Sequence, residues 1–179
     1  MVLFSVSSLA RRNFSRAALA LPLFVCACSG SAVVKGGPFT GDPANYTYDL
    51  EGTEVTLKAG AHEVKTGTGV DDVVATDLTQ ARLDADYDGD EATDCAVVVT
   101  RDSGPLKVHY LVLILAGGGS KTVTLGTNVL VENLALDPKT GGIVVKMLSR
   151  DEGVANDTPP TLPVEKRFRI KDGALVAGK

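Results

Sequence analysis

Asp84, Asp86, Asp88, Asp90, Glu91 and Asp94 crowd six carboxylates into eleven residues. Acids at alternate positions on a tightly turning backbone can converge on one hard cation. Calcium takes six to eight oxygens at roughly 2.3–2.6 Å, and looped sites draw them from positions 1, 3 and 5, a carbonyl at 7 and a group at 9. Two registers satisfy that spacing. The first sets Asp86, Asp88 and Asp90 at positions 1, 3 and 5, the Ala92 carbonyl at 7 and Asp94 at 9, with Glu91 where glycine is preferred. The second starts at Asp84 and gets Gly89 at the sharp turn, but leaves Ala92 at position 9. Without a cation these acids repel one another. A bound divalent ion would relieve that repulsion and pin the loop against the strand beginning at Cys95. The plain alternative is a solvated acidic turn screened by salt. A carboxylate pair for acid–base catalysis is a third reading, and no basic partner lies nearby in the loop.

Other chemistry is sparse. The chain has two histidines, His62 in an early strand or turn and His109 in a run whose apolar neighbours suit a core position. No zinc spacing, Gly-x-Ser-x-Gly elbow or complete phosphate loop occurs. Gly117-Gly118-Gly119-Ser120-Lys121 imitates part of a phosphate loop but reads as a hairpin turn between strands. Lys166-Arg167-Phe168-Arg169 reads as a solvent-facing strand. Cys95 opens an apolar run and suits a small buried residue better than a nucleophile.

The elements that must position the acidic loop follow a period of two. Tyr46 to Leu50 and Val55 to Leu57 alternate around a turn at Glu51–Thr53, and Val73 to Leu83 is read as a strand. Cys95 to Thr100 and Val108 to Leu115 are nearly unbroken apolar runs. The Asp102–Pro105 turn cluster makes them an antiparallel pair, with the second run buried on both faces or central to its sheet. Further strands are expected at 122–125, 129–136, 143–148, 166–170 and 174–176, with residues 151–163 as an irregular, proline-containing excursion. No long segment shows a 3.6-residue period. The fold class expected is mainly β: a single antiparallel domain, meander or sandwich-like, over residues 45–179.

The chain before it carries an address. Arg11, Arg12 and Arg16 precede eleven mostly apolar residues, Ala17 to Ala27, the layout of a secretory signal and too short to span a bilayer. The run ends at Val25-Cys26-Ala27-Cys28, which resembles the lipobox of bacterial lipoproteins. Ala27 is small enough to precede the cleaved bond, whereas Val25 before Cys26 is not, so the resemblance implies acylation at Cys28. A plain signal peptide with no lipid is the alternative. Arg11-Arg12-Asn13-Phe14 also matches part of a twin-arginine export signal. Residues 1–27 are thus a lipoprotein signal peptide, and 28–44, rich in Gly, Ser and Pro, a lipidated N-terminus with a flexible tether. Ser29 in place of aspartate implies, by the same resemblance, the outer membrane facing the periplasm. Acyl chains at about 0.8 kcal/mol per buried methylene make such an anchor durable. Removing those three arginines leaves 15 basic against 22 acidic residues, a net charge near −7. Such a surface repels phosphate backbones and argues against nucleic acid as a partner.

A wider resemblance rests on these motifs. Asp86-Tyr87-Asp88-Gly89-Asp90 through Asp94, followed by Cys95-Ala96-Val97, resembles the calcium loops of FG-GAP-like and dockerin-like segments. Gly52 to Leu57, His109-Tyr110-Leu111 and the hairpin Arg167 to Val176 look like a group of uncharacterised bacterial lipoproteins. The resemblance implies calcium at Asp86, Asp88, Asp90 and Asp94 with the Ala92 carbonyl, and Glu91 departs from its glycine. It implies no activity. The expected protein is a non-enzymatic envelope lipoprotein with a structural or interaction role and an envelope protein as partner. An envelope enzyme or inhibitor using the acidic loop is the alternative.

Overall fold

The computed structural model describes residues 39–69 and 72–178. A short 3₁₀ turn, Pro43–Asn45, leads into eleven strands. These are β1 (Thr47–Leu50), β2 (Thr53–Thr56), β3 (Ala61–Lys65), β4 (Val73–Ala85), β5 (Asp94–Ser103) and β6 (Leu106–Ile114). Then come β7 (Ser120–Thr127), β8 (Leu130–Leu136), β9 (Ile143–Ser149), β10 (Leu162–Lys171) and β11 (Ala174–Ala177). Every pairing is antiparallel between strands adjacent in the chain. β3 to β7 form a five-stranded meander, β8 to β11 a four-stranded one, and β1–β2 a separate hairpin. The domain is mainly β, as expected, and no helix among the described residues is long and apolar enough to cross a membrane.

The unbroken apolar runs have a direct cause. The central strands β5 and β6 of the five-stranded sheet are covered on both faces. On one, Ala96, Val98, Leu111 and Leu113 pack against Leu134, Val145, Met147 and Phe168 of the four-stranded sheet. On the other, Cys95, Val97, Val99, Tyr110 and Val112 pack under Tyr48, Leu50, Val55 and Leu57 of the β1–β2 hairpin. A strand with no wet face has no position for a polar residue, so alternation vanishes. The four-stranded sheet keeps it: Glu165, Arg167, Arg169 and Lys171 lie exposed along β10, between the partly or fully buried Val164, Lys166, Phe168 and Ile170.

Turn chemistry sets the register. β5 and β6 join through Gly104-Pro105, with Gly104 at φ +77°, and Ser103 pairs with Leu106 across that two-residue turn. Positive φ at its first residue suits the right-handed twist of the strands. The tip of the first hairpin is anchored by Glu51. Its carboxylate accepts from the Tyr110 hydroxyl at 3.3 Å and from Thr124 Oγ1 at 2.8 Å. Thr122 Oγ1 donates to the Asp49 carbonyl at 2.9 Å.

Three boundaries differ from the expected ones. The stretch assigned to tether gives way to packed structure by Phe39. Phe39 rests against the hairpin-side core and Pro43 is buried. The Tyr48 hydroxyl donates to the Pro43 carbonyl at 2.6 Å, and the Gly60 amide to the Ala44 carbonyl at 2.8 Å. Apolar contact on one side of a Gly- and Pro-rich segment is enough to fix it. β4 runs to Ala85, which places Asp84 in the strand rather than the loop. The irregular excursion ends earlier, because β10 starts at Leu162 with Pro163 opposite Leu148. β11 pairs only with Phe168–Lys171, so Pro163 lies where β10 has a neighbour on one side alone, and a missing amide is tolerated.

Candidate metal centre

The acidic loop is the β4–β5 connection, and the two strands hold its ends in register, Ala85 opposite Asp94. Within it the carboxylates of Asp86, Asp88 and Asp94 each bring an oxygen within 4.8 Å of the others. Asp90, the fourth expected ligand, is not brought into that group. Its Oδ1 accepts from the Ala92 amide at 2.8 Å.

Local hydrogen bonds explain the convergence. Asp86 accepts the Gly89 amide at 2.7 Å on one oxygen and the Glu91 amide at 3.1 Å on the other. Asp88 Oδ1 accepts the Asp90 amide at 3.2 Å. These side-chain-to-backbone bonds curl the loop and point the acids inward. Gly89 and Glu91 both take left-handed backbone, at φ +86° and +68°. The Glu91 conformation is the one a glycine at position 6 would adopt without a Cβ penalty. In the first register that position is Glu91, so the backbone of the loop follows that register even where the residue does not.

The second register is not the one the fold presents. Arg82 and Asp84 are two apart on β4 and share a face, and their side chains form a two-pronged pair at 2.9 Å for both contacts. Burial works to raise the Asp84 pKa, but the Arg82 bonds and a contact from Cys95 together hold it below the usual range. That same neighbourhood, burial first and the Asp84 bond second, pushes the Cys95 thiol up to about 12. Cys95 is fully buried, as its place in an apolar run suggested.

Asp94 carries a role that its spacing did not disclose. It is fully buried at the start of β5. Its Oδ2 accepts the Tyr87 amide and its Oδ1 the Ala116 amide, both at 2.9 Å. One carboxylate therefore ties the acidic loop to the β6–β7 turn. Asp88 is the group whose ionisation suffers. Partial burial raises its pKa, and the charges of Asp94, Asp90 and Asp86 add to that. A divalent cation would reverse the sign of this local field.

The donor set suits a hard cation. Three carboxylates and the loop's carbonyls are all oxygen, the chemistry calcium prefers, and no thiol or imidazole belongs to the cluster. Cys28 lies outside the described residues. Comparison of the chain with known protein families, curated proteins and solved structures finds no match.

Proposed function

We propose that the chain is a lipid-anchored protein of the bacterial cell envelope, without catalytic activity, whose β domain is stabilised by one calcium ion. Anchoring would run through acyl chains on Cys28, with the domain facing the periplasm from the outer membrane. The support for this is the sequence from Arg11 to Cys28. The role inferred for the domain is structural or protein-binding, and the resemblance to lipoproteins carrying a dockerin-like or FG-GAP-like loop belongs to the same reading.

The observation that carries the calcium reading is the convergence of Asp86, Asp88 and Asp94 on the left-handed backbone at Glu91. Those residues would supply carboxylate oxygens, with the Ala92 carbonyl and Asp90, through a water or a turned side chain, completing the set. Bound calcium would offset part of the loop's negative charge and hold it against β5.

Two measurements test the two halves separately. Mass spectrometry of the native protein should find an acylated Cys28 at its N-terminus, and a free N-terminus elsewhere sinks the anchor. Titration calorimetry should give one calcium per chain, with Asp86→Ala and Asp88→Ala weakening it. No heat from the folded wild-type chain sinks the metal.

A further inference from the structure

All three register irregularities among the described strands border one cleft. In β4, Leu78 pairs with Val99 and Arg82 with Val97, so Thr79, Gln80 and Ala81 stand against one residue of β5. In β8, Val131 faces Met147 and Asn133 faces Lys146, which leaves Glu132 without a partner. In the third, His109 pairs with Gly126 and Tyr110 with Thr124, so Leu125 is the extra residue of β7. The bulged residues of β4 and β8, together with His109, line a cleft of about 460 Å³. Bulges unpair backbone and re-aim side chains, and they gather beside functional sites.

His109 adds a second, independent observation. The residue is 8% exposed, and its Nδ1 is buried with no hydrogen-bond partner. Folded proteins seldom leave such an atom unpaired. The two walls are strand edges. Pairing of β3 with β4 stops at Asp77, so the β4 wall is laddered to β5 alone, and β8 to β9 alone. Gln80 and Asn133 line the cleft with Leu130, which is 53% exposed, and Arg82 is already held by Asp84.

We propose that this cleft binds a short peptide segment in extended conformation. Unpaired N–H and C=O groups on strand edges are met by another extended backbone. Carboxamides pair with peptide amides, and the lining mixes polar with apolar residues, Gln80 and Asn133 beside Leu130 and Val131, so it can meet both side-chain faces of a strand. Among the described residues Glu132 is the lining charge that makes no ion pair, so neutral or basic segments fit and acidic ones do not. This goes beyond the anchoring and calcium readings and depends on neither.

The test uses the full chain, isotope-labelled for NMR, and two blocked tetrapeptides, acetyl-Val-Thr-Val-Thr-amide and acetyl-Leu-Gln-Leu-Gln-amide. Saturable shifts are expected at Thr79–Arg82, Leu130–Leu134 and the His109 ring. Gln80→Ala, on an exposed bulge, should weaken binding about tenfold while the spectrum stays folded. An acidic peptide, acetyl-Glu-Thr-Glu-Thr-amide, should bind more weakly. Absence of shifts with both neutral peptides at millimolar concentration overturns the proposal. So do shifts centred on another strand edge, or binding that Gln80→Ala leaves unchanged.

Discussion

The carboxylate of Asp94 receives the amide of Ala116 at 2.9 Å, twenty-two residues further along the chain. Its other oxygen receives Tyr87. The same fully buried side chain lies within 4.8 Å of the Asp86 and Asp88 carboxylates. A fastening between two loops and a candidate cation ligand are thus one group. Removing it has consequences that separate from those of its neighbours. Asp94→Ala should cost about 3 kcal/mol in urea unfolding even with calcium chelated, because two amides lose a charged acceptor in a dry site. Asp88→Ala should cost little under chelation and should abolish the gain from added calcium.

Glu91 offers a change in the opposite direction. At φ +68° a side chain is strained where glycine is not. Glu91→Gly should raise stability by about 0.5–1 kcal/mol in the metal-free protein, measured by denaturant midpoint. It should also tighten calcium binding, since the loop then enters the bound conformation without a Cβ penalty. A loss on both counts means that other contacts of Glu91 outweigh the backbone strain.

Calcium binding should weaken on acidification sooner than for ordinary carboxylates. Burial and three neighbouring aspartates hold the Asp88 pKa above 3.8. Protons therefore compete for this ligand at a higher pH, and metal binding must displace them. In metal-free protein the sign reverses. The raised pKa means that stability contributed by protonated Asp88 is full below 3.8 and is lost as pH rises through the folded value. Calorimetry and urea midpoints between pH 3 and 7 read both trends.

His109 gives a second pH dependence. Burial, helped by the charge of Lys107, lowers its pKa below 6.5, while a backbone bond to Lys107 opposes the shift. The folded form thus resists a proton that the unfolded chain accepts. Its contribution to stability is intact above 6.5 and is lost as pH falls through the depressed folded value. Wild-type thermal midpoints should drop faster than those of His109→Gln between pH 7 and 5. Parallel curves for the two proteins would locate the titration elsewhere.

Burial of the central sheet on both faces makes a prediction about adjacent residues. Val98 faces the four-stranded sheet and Val99 faces the first hairpin. Val98→Ala and Val99→Ala should each cost about 2 kcal/mol in denaturant unfolding. A sheet with one wet face would show that cost at only one of the two.

The strands of the core were legible because burial writes itself into residue type. Cys95 to Val99 and Leu111 to Leu115 left no polar position, and both faces are indeed covered. Which layer covers each face was not legible, since period-two patterning says nothing about where the chain changes sheet between β7 and β8. The acidic loop announced three of its converging carboxylates by spacing. Asp84 drops out through Arg82, a partner visible only once β4 is known to reach Ala85 with both side chains on one face. The opposite surprise is Phe39, whose Gly- and Pro-rich setting reads as linker although its ring meets the core. The His109 cleft had no signal at all, because a bulge is a property of pairing between strands and leaves no mark on either strand alone.

The Glu51 anchorage decides how the domain answers to tension. Among the described residues, Phe39 and the two-stranded layer precede both meanders in the chain. That layer is not laddered to the five-stranded sheet. It is held down by apolar contact and by three side-chain bonds, from Tyr110, Thr122 and Thr124. A steady pull at this end would load that layer first. The nine strands of the two larger sheets are laddered separately, so lifting the layer would bare one apolar flank of the centre before any of their pairings broke.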